Sequence, residues 1–250
     1  MKRITTCLAL LAALTGASAL ATPVSGTTTV DFSNGLEGWN GATNSGPYVP
    51  IETGPNGTPA MHTDAYLYFT QYWTRDNQAF LGNYAAYGSV TLGLDVMVNS
   101  MTQLNGEPMA RNFVVELRDY DKASTNAPYS SVWFNLGTVD GAAPGMQHLS
   151  VTFDPRSDTL PAGWGGYGDP GFFGDTLPPA QTFRRLLSDV DEVVFGTATP
   201  GNLYIEGIFD LSIDNISIST VSAVPEAGTW AMLMAGLGVL AAAGRRRRAR

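Results

Sequence analysis

Six runs of the chain alternate apolar side chains with small or polar ones, with a period of two residues. This period is typical of β-strands that bury one face. Clusters of Gly, Pro, Asn and Asp lie between the runs and indicate turns. The sequence therefore predicts at least six strands, over residues 90–98, 113–119, 131–136, 148–153, 193–195 and 211–218.

Helical periodicity is confined to one short segment. Residues 180–187 follow two prolines and place Phe183, Leu186 and Leu187 on one face, which predicts a short helix. Many short strands with turn-rich connections favour an all-β fold, and we expect a jelly-roll β-sandwich over residues 22–222. No repeat of roughly 20 to 50 residues is visible, which disfavours a solenoid or a propeller.

The first 21 residues have the pattern of a secretory signal peptide. A basic start and the apolar run 7–14 lead to small residues that signal peptidase accepts, and we expect passage through the Sec translocon and cleavage after Ala21. An uncleaved anchor is the alternative, but the apolar run is too short to span a bilayer. Cys7 is the only cysteine, so the mature chain would have no thiol for a disulfide, a nucleophile or a metal site.

The C-terminal segment 224–250 combines a short motif, an uncharged stretch and a basic end. As a helix, residues 227–244 would be about 27 Å long, barely enough to cross a hydrocarbon core. Trp230, near the start of this helix, suits the membrane interface, and the arginine cluster would stay on the cytoplasmic side. We therefore expect one transmembrane helix, with the body outside. The short motif consists of Val224, Pro225, Glu226 and Ala227. The residues expected to anchor the helix and to stop it are Trp230, Arg245, Arg246, Arg247 and Arg248.

This segment resembles the PEP-CTERM sorting signal of Gram-negative bacteria, which consists of a Pro-Glu-Pro motif, a hydrophobic helix and an arginine-rich end. The resemblance implies an exosortase as partner, transient anchoring in the inner membrane, and a final position at the cell surface or outside the cell. Pro225 and Glu226 match the motif. Ala227 stands where the family usually has proline, so the efficiency of processing is in question.

The charge of the body differs from that of the whole chain. The formal net charge is −8, but both ends are basic, and without them seven basic and 21 acidic residues remain, so the body carries about −14. Nucleic-acid binders neutralise phosphates with Lys and Arg, so nucleic acid is excluded as a partner. A hydrophobic content of 44% excludes a disordered chain.

Several segments of the body occur in the order found in a known extracellular module. They are 66–70, a Phe-Leu-Gly-Asn sequence before a Tyr-Gly pair in 80–88, and the later segments 132–136, 182–194 and 211–218. Together they resemble the laminin B (domain IV) module. The resemblance implies a galactose-binding-like jelly roll with a structural or adhesive role, and not an enzyme.

In jelly rolls of that kind a structural calcium ion often joins the first and last strands, and calcium prefers carboxylate and carbonyl oxygens. Asp31 lies near the predicted start of the body and Asp214 lies in its last strand, with Asp210 nearby. The resemblance therefore implies calcium at these three aspartates. The alternative is that they end strands and accept hydrogen bonds from turn amides.

Sugar binding is a second candidate activity, suggested by aromatic residues beside acids. Exposed aromatic rings can stack on sugars while neighbouring Asp side chains bind hydroxyl groups. Trp164, Tyr167 and Asp169 lie in a glycine-rich segment predicted to be a loop, and Trp73 stands in a second aromatic cluster. The alternative is that both tryptophans cap the hydrophobic core.

Catalysis has weaker support in the sequence. His62 and His148 have no serine or aspartate partner that spacing identifies. Paired carboxylates could serve a glycosidase, and Glu116, Asp119 and Asp121 are candidates. The main hypothesis is a non-catalytic envelope or matrix protein whose body binds exopolysaccharide or another matrix component. A carbohydrate-active hydrolase and a purely structural role are the alternatives.

Overall fold

The computed structural model describes residues 24–42, 50–54, 57–121, 123, 127–169 and 176–223. These residues form two six-stranded antiparallel sheets. Sheet 1 has the order β3-β4-β12-β6-β9, with β1 alongside β12, and sheet 2 has the order β10-β8-β7-β11-β5-β2. The strands are β1 (Gly26–Val30), β2 (Trp39–Gly41), β3 (Ile51–Thr53), β4 (Pro59–Leu67), β5 (Gln71–Thr74), β6 (Tyr87–Gln103), β7 (Ala110–Asp119), β8 (Ser130–Asp140), β9 (Gly145–Phe153), β10 (Trp164–Tyr167), β11 (Glu192–Gly196) and β12 (Gly207–Ser222).

The prediction of an all-β sandwich is confirmed, and all six predicted strands are present as β6, β7, β8, β9, β11 and β12. The helix is shorter than predicted: α1 is Phe183–Leu186, a single turn. Ala180 has a positive φ of 67°, and Thr182 is extended and caps the helix by accepting a hydrogen bond from the Arg185 amide. A chain that turns at Ala180 cannot begin a helix there.

The core lies between the sheets and is built from the alternate residues of each strand that point inward. Large side chains such as Trp39, Phe80, Phe195 and Phe209 are fully buried. Trp39 makes an edge contact with Phe80 at 5.2 Å between ring centroids. Burial of one such side chain contributes about 1.5–3 kcal/mol, so this layer is the main source of stability.

β12 is the central strand of sheet 1. It pairs with β6 along one side and with β4 and then β1 along the other. At its end the Ser222 amide donates to Ser25 Oγ at 2.8 Å, so the first and last described strands finish side by side. The two termini of the body therefore leave the sandwich at the same end.

Two sequence predictions fall outside the described residues. The predicted signal peptide covers residues 1–21, and the sorting segment with its predicted transmembrane helix covers residues 224–250. Within the described ranges, no helix has the length and apolar character needed to cross a membrane.

Candidate functional site on sheet 2

Sheet 2 has an outer face that points away from the core and carries an unusual row of side chains. Residues that lie directly opposite each other on two antiparallel strands place their side chains on the same face of the sheet. Glu116 on β7 is aligned with Trp133 on β8 and with Val194 on β11, and Val194 is aligned with Trp73 on β5. Two tryptophans therefore flank a carboxylate across three strand spacings, about 14 Å.

The next row on this face contains a network of ion pairs. Arg118 Nη2 donates to Glu116 at 2.6 Å, and Arg118 Nη1 donates to Glu192 at 2.8 Å. Glu192 also accepts from Arg75 Nε at 2.7 Å, and Glu116 accepts from Ser131 Oγ at 2.6 Å. Both glutamate side chains are 2% exposed. Two arginines thus compensate two buried carboxylates, and the network has no net charge.

The network keeps Glu192 ionised. Burial acts to raise the pKa of Glu192, but the charge of Arg118 and hydrogen bonds from Arg75, Arg118 and Tyr120 outweigh it, so this pKa lies below its ordinary value. Burial acts to lower the pKa of Arg118, but Glu116 and Glu192 hold it well above its ordinary value. Burial and the charge of Glu192 raise the pKa of Tyr120 to about 12.

A cleft of about 120 Å³ opens beside the network. Arg118 forms part of its floor, and its guanidinium lies 4.5 Å from the centroid of the Tyr129 ring. The Tyr129 and Tyr167 rings are 5.2 Å apart. The remaining described lining residues come from the loop before β5, from β5 and β7, and from the loop after β11: Phe69, Gln71, Glu116, Ala198, Thr199, Pro200, Gly201 and Asn202. The cleft therefore combines aromatic rings with hydrogen-bonding groups.

Trp133 lies flat on the neighbouring strand because residue 165 is a glycine. A Cβ on Gly165 would be only 2.2 Å from Cε2 of the Trp133 indole. One face of the ring therefore rests on the β10 backbone, and the side chain stays partly exposed. Its Nε1 has no hydrogen-bond partner within the described part of the chain. The sequence did not single out Trp133 as a binding residue. Successive residues of a strand point to opposite faces, so the core residue Val132 already placed Trp133 on the outer face of β8.

The structure divides the four residues predicted to bind glycan. The segment predicted to be a loop is strand β10, and Trp164 points from it into the core, where it is 9% exposed and lies 4.8 Å from the Phe153 ring. Trp164 therefore caps the core, the alternative considered for it. Tyr167 and Trp73 share the outer face of sheet 2. Asp169 pairs with Thr176 just beyond the strand and is partly exposed.

The three aspartates implied for calcium each have a separate partner. Asp31 accepts from Ser33, Asp214 accepts from Thr58 Oγ1 at 2.9 Å, and Asp210 contacts His62. Across the described ranges, no three or more acidic, histidine or cysteine side chains form a set that could hold a metal ion.

Asp214 nevertheless lies in an acidic environment. Burial raises its pKa, and the charges of Asp95 and Asp31 add to this effect, while hydrogen bonds from Thr58 and Asn215 oppose it.

Both histidines lie on the outer face of sheet 1. His62 contacts Glu52 through Nδ1 and Asp210 through Nε2, each at 2.8 Å, and His148 contacts Asp95 at 2.8 Å. Ser212 is aligned with His62, but both ring nitrogens already face carboxylates. His62 therefore cannot take a proton from this serine in the manner of a catalytic triad.

The carboxylate group predicted for a hydrolase is not assembled. Glu116 lies on the outer face of β7, whereas Asp119, three residues on, falls on the opposite face and is fully buried. Asp121 follows the strand and is exposed. The actual partner of Glu116 is Glu192 on β11, through Arg118.

The C-terminal prediction is confirmed by a family model. The model of the PEP-CTERM protein-sorting motif matches residues 223–248, the segment singled out for its Pro-Glu motif, hydrophobic stretch and arginines. Among curated protein sequences, none matches the chain.

Solved structures with similar folds include carbohydrate-binding modules. A family 11 module from Clostridium thermocellum, in complex with a mixed-linked tetrasaccharide, is 14% identical, covers 81% of this chain and 99% of its own, and has a TM-score of 0.40. A carbohydrate-binding module described for mannan recognition is 10% identical, with coverages of 79% and 97% and a TM-score of 0.39. An agarase is 12% identical, with coverages of 80% and 25% and a TM-score of 0.42. Sequence identities of 10–14% and TM-scores of 0.39–0.42 do not show the function of the body.

Proposed function

We propose that the body is a non-catalytic glycan-binding module of an exported protein, and that it binds through the outer face of sheet 2. The observation that carries this proposal is the row in which Trp133 and Trp73 flank Glu116. Neither tryptophan belongs to the inner core cluster. Partly exposed aromatic faces beside hydrogen-bonding groups suit sugar rings, whose faces are apolar and whose edges carry hydroxyls.

Preorganisation supports the same proposal. Gly165 allows Trp133 to lie against the β10 backbone, and Arg118 joins β7 to β11 through Glu116 and Glu192. Groups held in place before binding lose little conformational entropy when a ligand arrives. A surface built in this way favours recognition of a rigid ligand such as a polysaccharide chain.

The same network argues against the hydrolase alternative. The acid of a glycosidase needs a raised pKa so that it can donate a proton near neutral pH. Arg118 and Arg75 instead lower the pKa of Glu192 against the effect of burial. Glu116 and Glu192 also share Arg118 between them, which leaves no open space between the carboxylates for a glycosidic bond.

Affinity electrophoresis on a panel of polysaccharides tests the binding site. We expect at least one polymer to retard the protein, and Trp133→Ala and Trp73→Ala each to weaken retention about tenfold, or ~1.4 kcal/mol. Tyr68→Ala is the matched control because its ring is 56% exposed and lies outside this face. Retention by no polymer, or retention that neither tryptophan variant weakens, would contradict the proposal. Release of reducing ends would favour a hydrolase.

The sorting motif supports export as the setting for this activity. We infer that an exosortase recognises Pro225 and Glu226 after the signal peptide is cleaved, and that the inner membrane holds the tail until then. Mass spectrometry of both termini of the mature protein tests this order. We expect an N-terminus at Thr22 and a shortened C-terminus, Pro225→Ala to retain the tail, and Ala227→Pro to increase processing. An intact tail in the wild type would refute exosortase processing.

A further inference from the structure

We propose that the cleft on sheet 2 selects uncharged glycan chains and rejects polymers of uronic acids, because its arginine, Arg118, is already compensated by Glu116 and Glu192. This inference rests on the proposed glycan-binding function and specifies the class of ligand. It concerns the charge of the ligand, which the aromatic side chains do not determine.

Arg118 is already paired with two carboxylates. Its Nη1 and Nη2 each donate to a glutamate, and its plane lies over Tyr129. Its Nε is buried without a partner, so an incoming carboxylate cannot reach it. Recognition of a carboxylate by arginine normally uses two parallel N–H donors, and here Nη1 and Nη2 are each already bound to a glutamate, with which an incoming carboxylate would have to compete.

Arg75 is also paired already, and it lies outside the described lining of the cleft. It is 54% exposed, but its Nε donates to Glu192 and its guanidinium lies 4.4 Å from the centroid of the Tyr120 ring. Among the described residues that line the cleft, Arg118 is the only one with a positive charge. A uronate in the cleft would therefore compete with existing ion pairs for Arg118.

The charge balance opposes a uronate as well. A third carboxylate beside the two glutamates would leave the cleft with a net negative charge in a poorly hydrated position, which is unfavourable. The body, with about 21 acidic and seven basic residues, adds repulsion that acts over a Debye length of about 10 Å at 0.1 M salt.

An uncharged sugar meets none of these penalties. The lining also contains Gln71 and Asn202, whose side-chain amides can accept hydrogen bonds from sugar hydroxyls and donate to them. The Tyr129 and Tyr167 rings offer apolar surface next to them. The cleft thus provides acceptors and aromatic faces, which match hydroxyl-rich neutral rings.

The test compares retention in gels that contain uncharged polymers with retention in gels that contain uronate polymers, all with EDTA. Mixed-linkage β-glucan, mannan and agarose are the uncharged probes, and alginate and polygalacturonate are the uronates. We expect the wild type to bind an uncharged polymer at least tenfold more tightly than either uronate. Tighter binding of a uronate would overturn the selectivity while the proposed function stands, and retention by no polymer would overturn both.

A charge variant tests the reason for the selectivity. Glu116→Gln keeps the shape of the side chain but leaves part of Arg118 uncompensated, so we expect uronate binding to rise at least tenfold and to weaken with added salt. Asp64→Asn is the matched control: it changes the net charge equally, and Asp64 is exposed on sheet 1. Equal uronate binding by the two folded variants would refute compensation as the cause. Glu192→Gln repeats the test if the first variant does not fold, which thermal melting reports.

Discussion

The outer faces of both sheets carry carboxylates, but the basic side chains that pair with these carboxylates differ between the two sheets. Sheet 2 joins its carboxylates to arginines, as in the pairs of Arg118 with Glu116 and Glu192. The described strands of sheet 1 contain no lysine or arginine, and the basic side chains that contact their carboxylates are His62 and His148. Arginine stays charged at every physiological pH, whereas histidine changes charge near neutrality.

This difference separates a permanent surface from a titratable one. The network on sheet 2 is buried and its balance does not change between mild acid and mild base. The His62 contacts on sheet 1 are partly exposed, with 22% of the histidine side chain accessible. A fold with two such faces can keep one binding surface constant while the other responds to its surroundings.

Removal of the central arginine gives the largest expected effect. Arg118→Met would leave Glu116 and Glu192 buried without most of their compensation, and breaking a buried pair costs about 3–5 kcal/mol. On sheet 1, Glu52→Gln should cost less than ~1 kcal/mol because the pair it removes is partly exposed. Urea unfolding of both variants measures the difference, and equal losses would refute the contrast between the faces.

A glycine substitution tests the packing of sheet 2. Gly165→Ala would place a methyl group against the Trp133 indole, and overpacking of this kind costs about 1–3 kcal/mol. In a Trp133→Ala background the same substitution should cost almost nothing, since the methyl group then has room. Urea unfolding of the four proteins gives the coupling free energy. A cost that persists without the indole would show that Trp133 does not rest on this glycine.

Calcium provides a test of the acidic side of sheet 1. If the ion binds near Asp31 and Asp214 with the affinity of extracellular modules, 10 mM calcium should stabilise the protein by about 1.4–2.7 kcal/mol relative to EDTA. The ion would also relieve the repulsion that raises the pKa of Asp214. Asp214→Asn should abolish the gain in thermal stability, and Asp64→Asn should preserve it. Identical melting of the wild type in calcium and in EDTA would remove the metal.

The response to pH is the smallest expected effect. Burial acts to lower the pKa of His62, but hydrogen bonds and charges from Asp210 and Glu52 raise it above its ordinary value. Its contribution to stability is therefore complete below about pH 6.5 and is lost as pH rises through the folded pKa. Glu192 behaves in the opposite way, because its pKa is lowered and its contribution is lost only in acid.

We therefore expect the wild type to lose up to ~1 kcal/mol of unfolding free energy between pH 6 and pH 9, and His62→Gln to lose less. Asn99, which also donates to Asp210, and Ser212 are further polar neighbours of His62. His148→Gln is the control, because its side chain is 59% exposed. Unfolding curves at pH 6 and pH 9 measure these losses of free energy. Equal losses for the wild type and His62→Gln would contradict the role of the histidine.

The long strands could be predicted from sequence because their alternation extends over many residues, as in β6 and β12. The short strand β10 could not, because its two glycines are typical of a turn. In the structure these glycines lie in a sheet, where Gly165 accommodates an indole from β8. The glycines predicted a loop. In the structure, Gly165 is needed because it is in close contact with Trp133, 32 positions away in sequence.

The site depended on information that periodicity does not contain. Trp133 on the polar side of β8 was a visible signal, since Val132 and Phe134 take the inward positions. The pairing of Glu116 with Glu192 was not visible, because it depends on the register between β7 and β11. Register follows from the packing of the whole sheet, and a shift of one residue would reverse which side chains face outward.

The central place of β12 has a consequence for the order of events in the cell. Residues 207–222 are the last described strand to be synthesised, yet β1, β4 and β6 all pair with them. Sheet 1 cannot close before they emerge, because long-range pairings must wait for the distant segment. The sorting motif begins at residue 223, directly behind the strand. Sheet 1 thus stays open until residue 222 has been synthesised, and it completes its pairing only as the sorting motif follows.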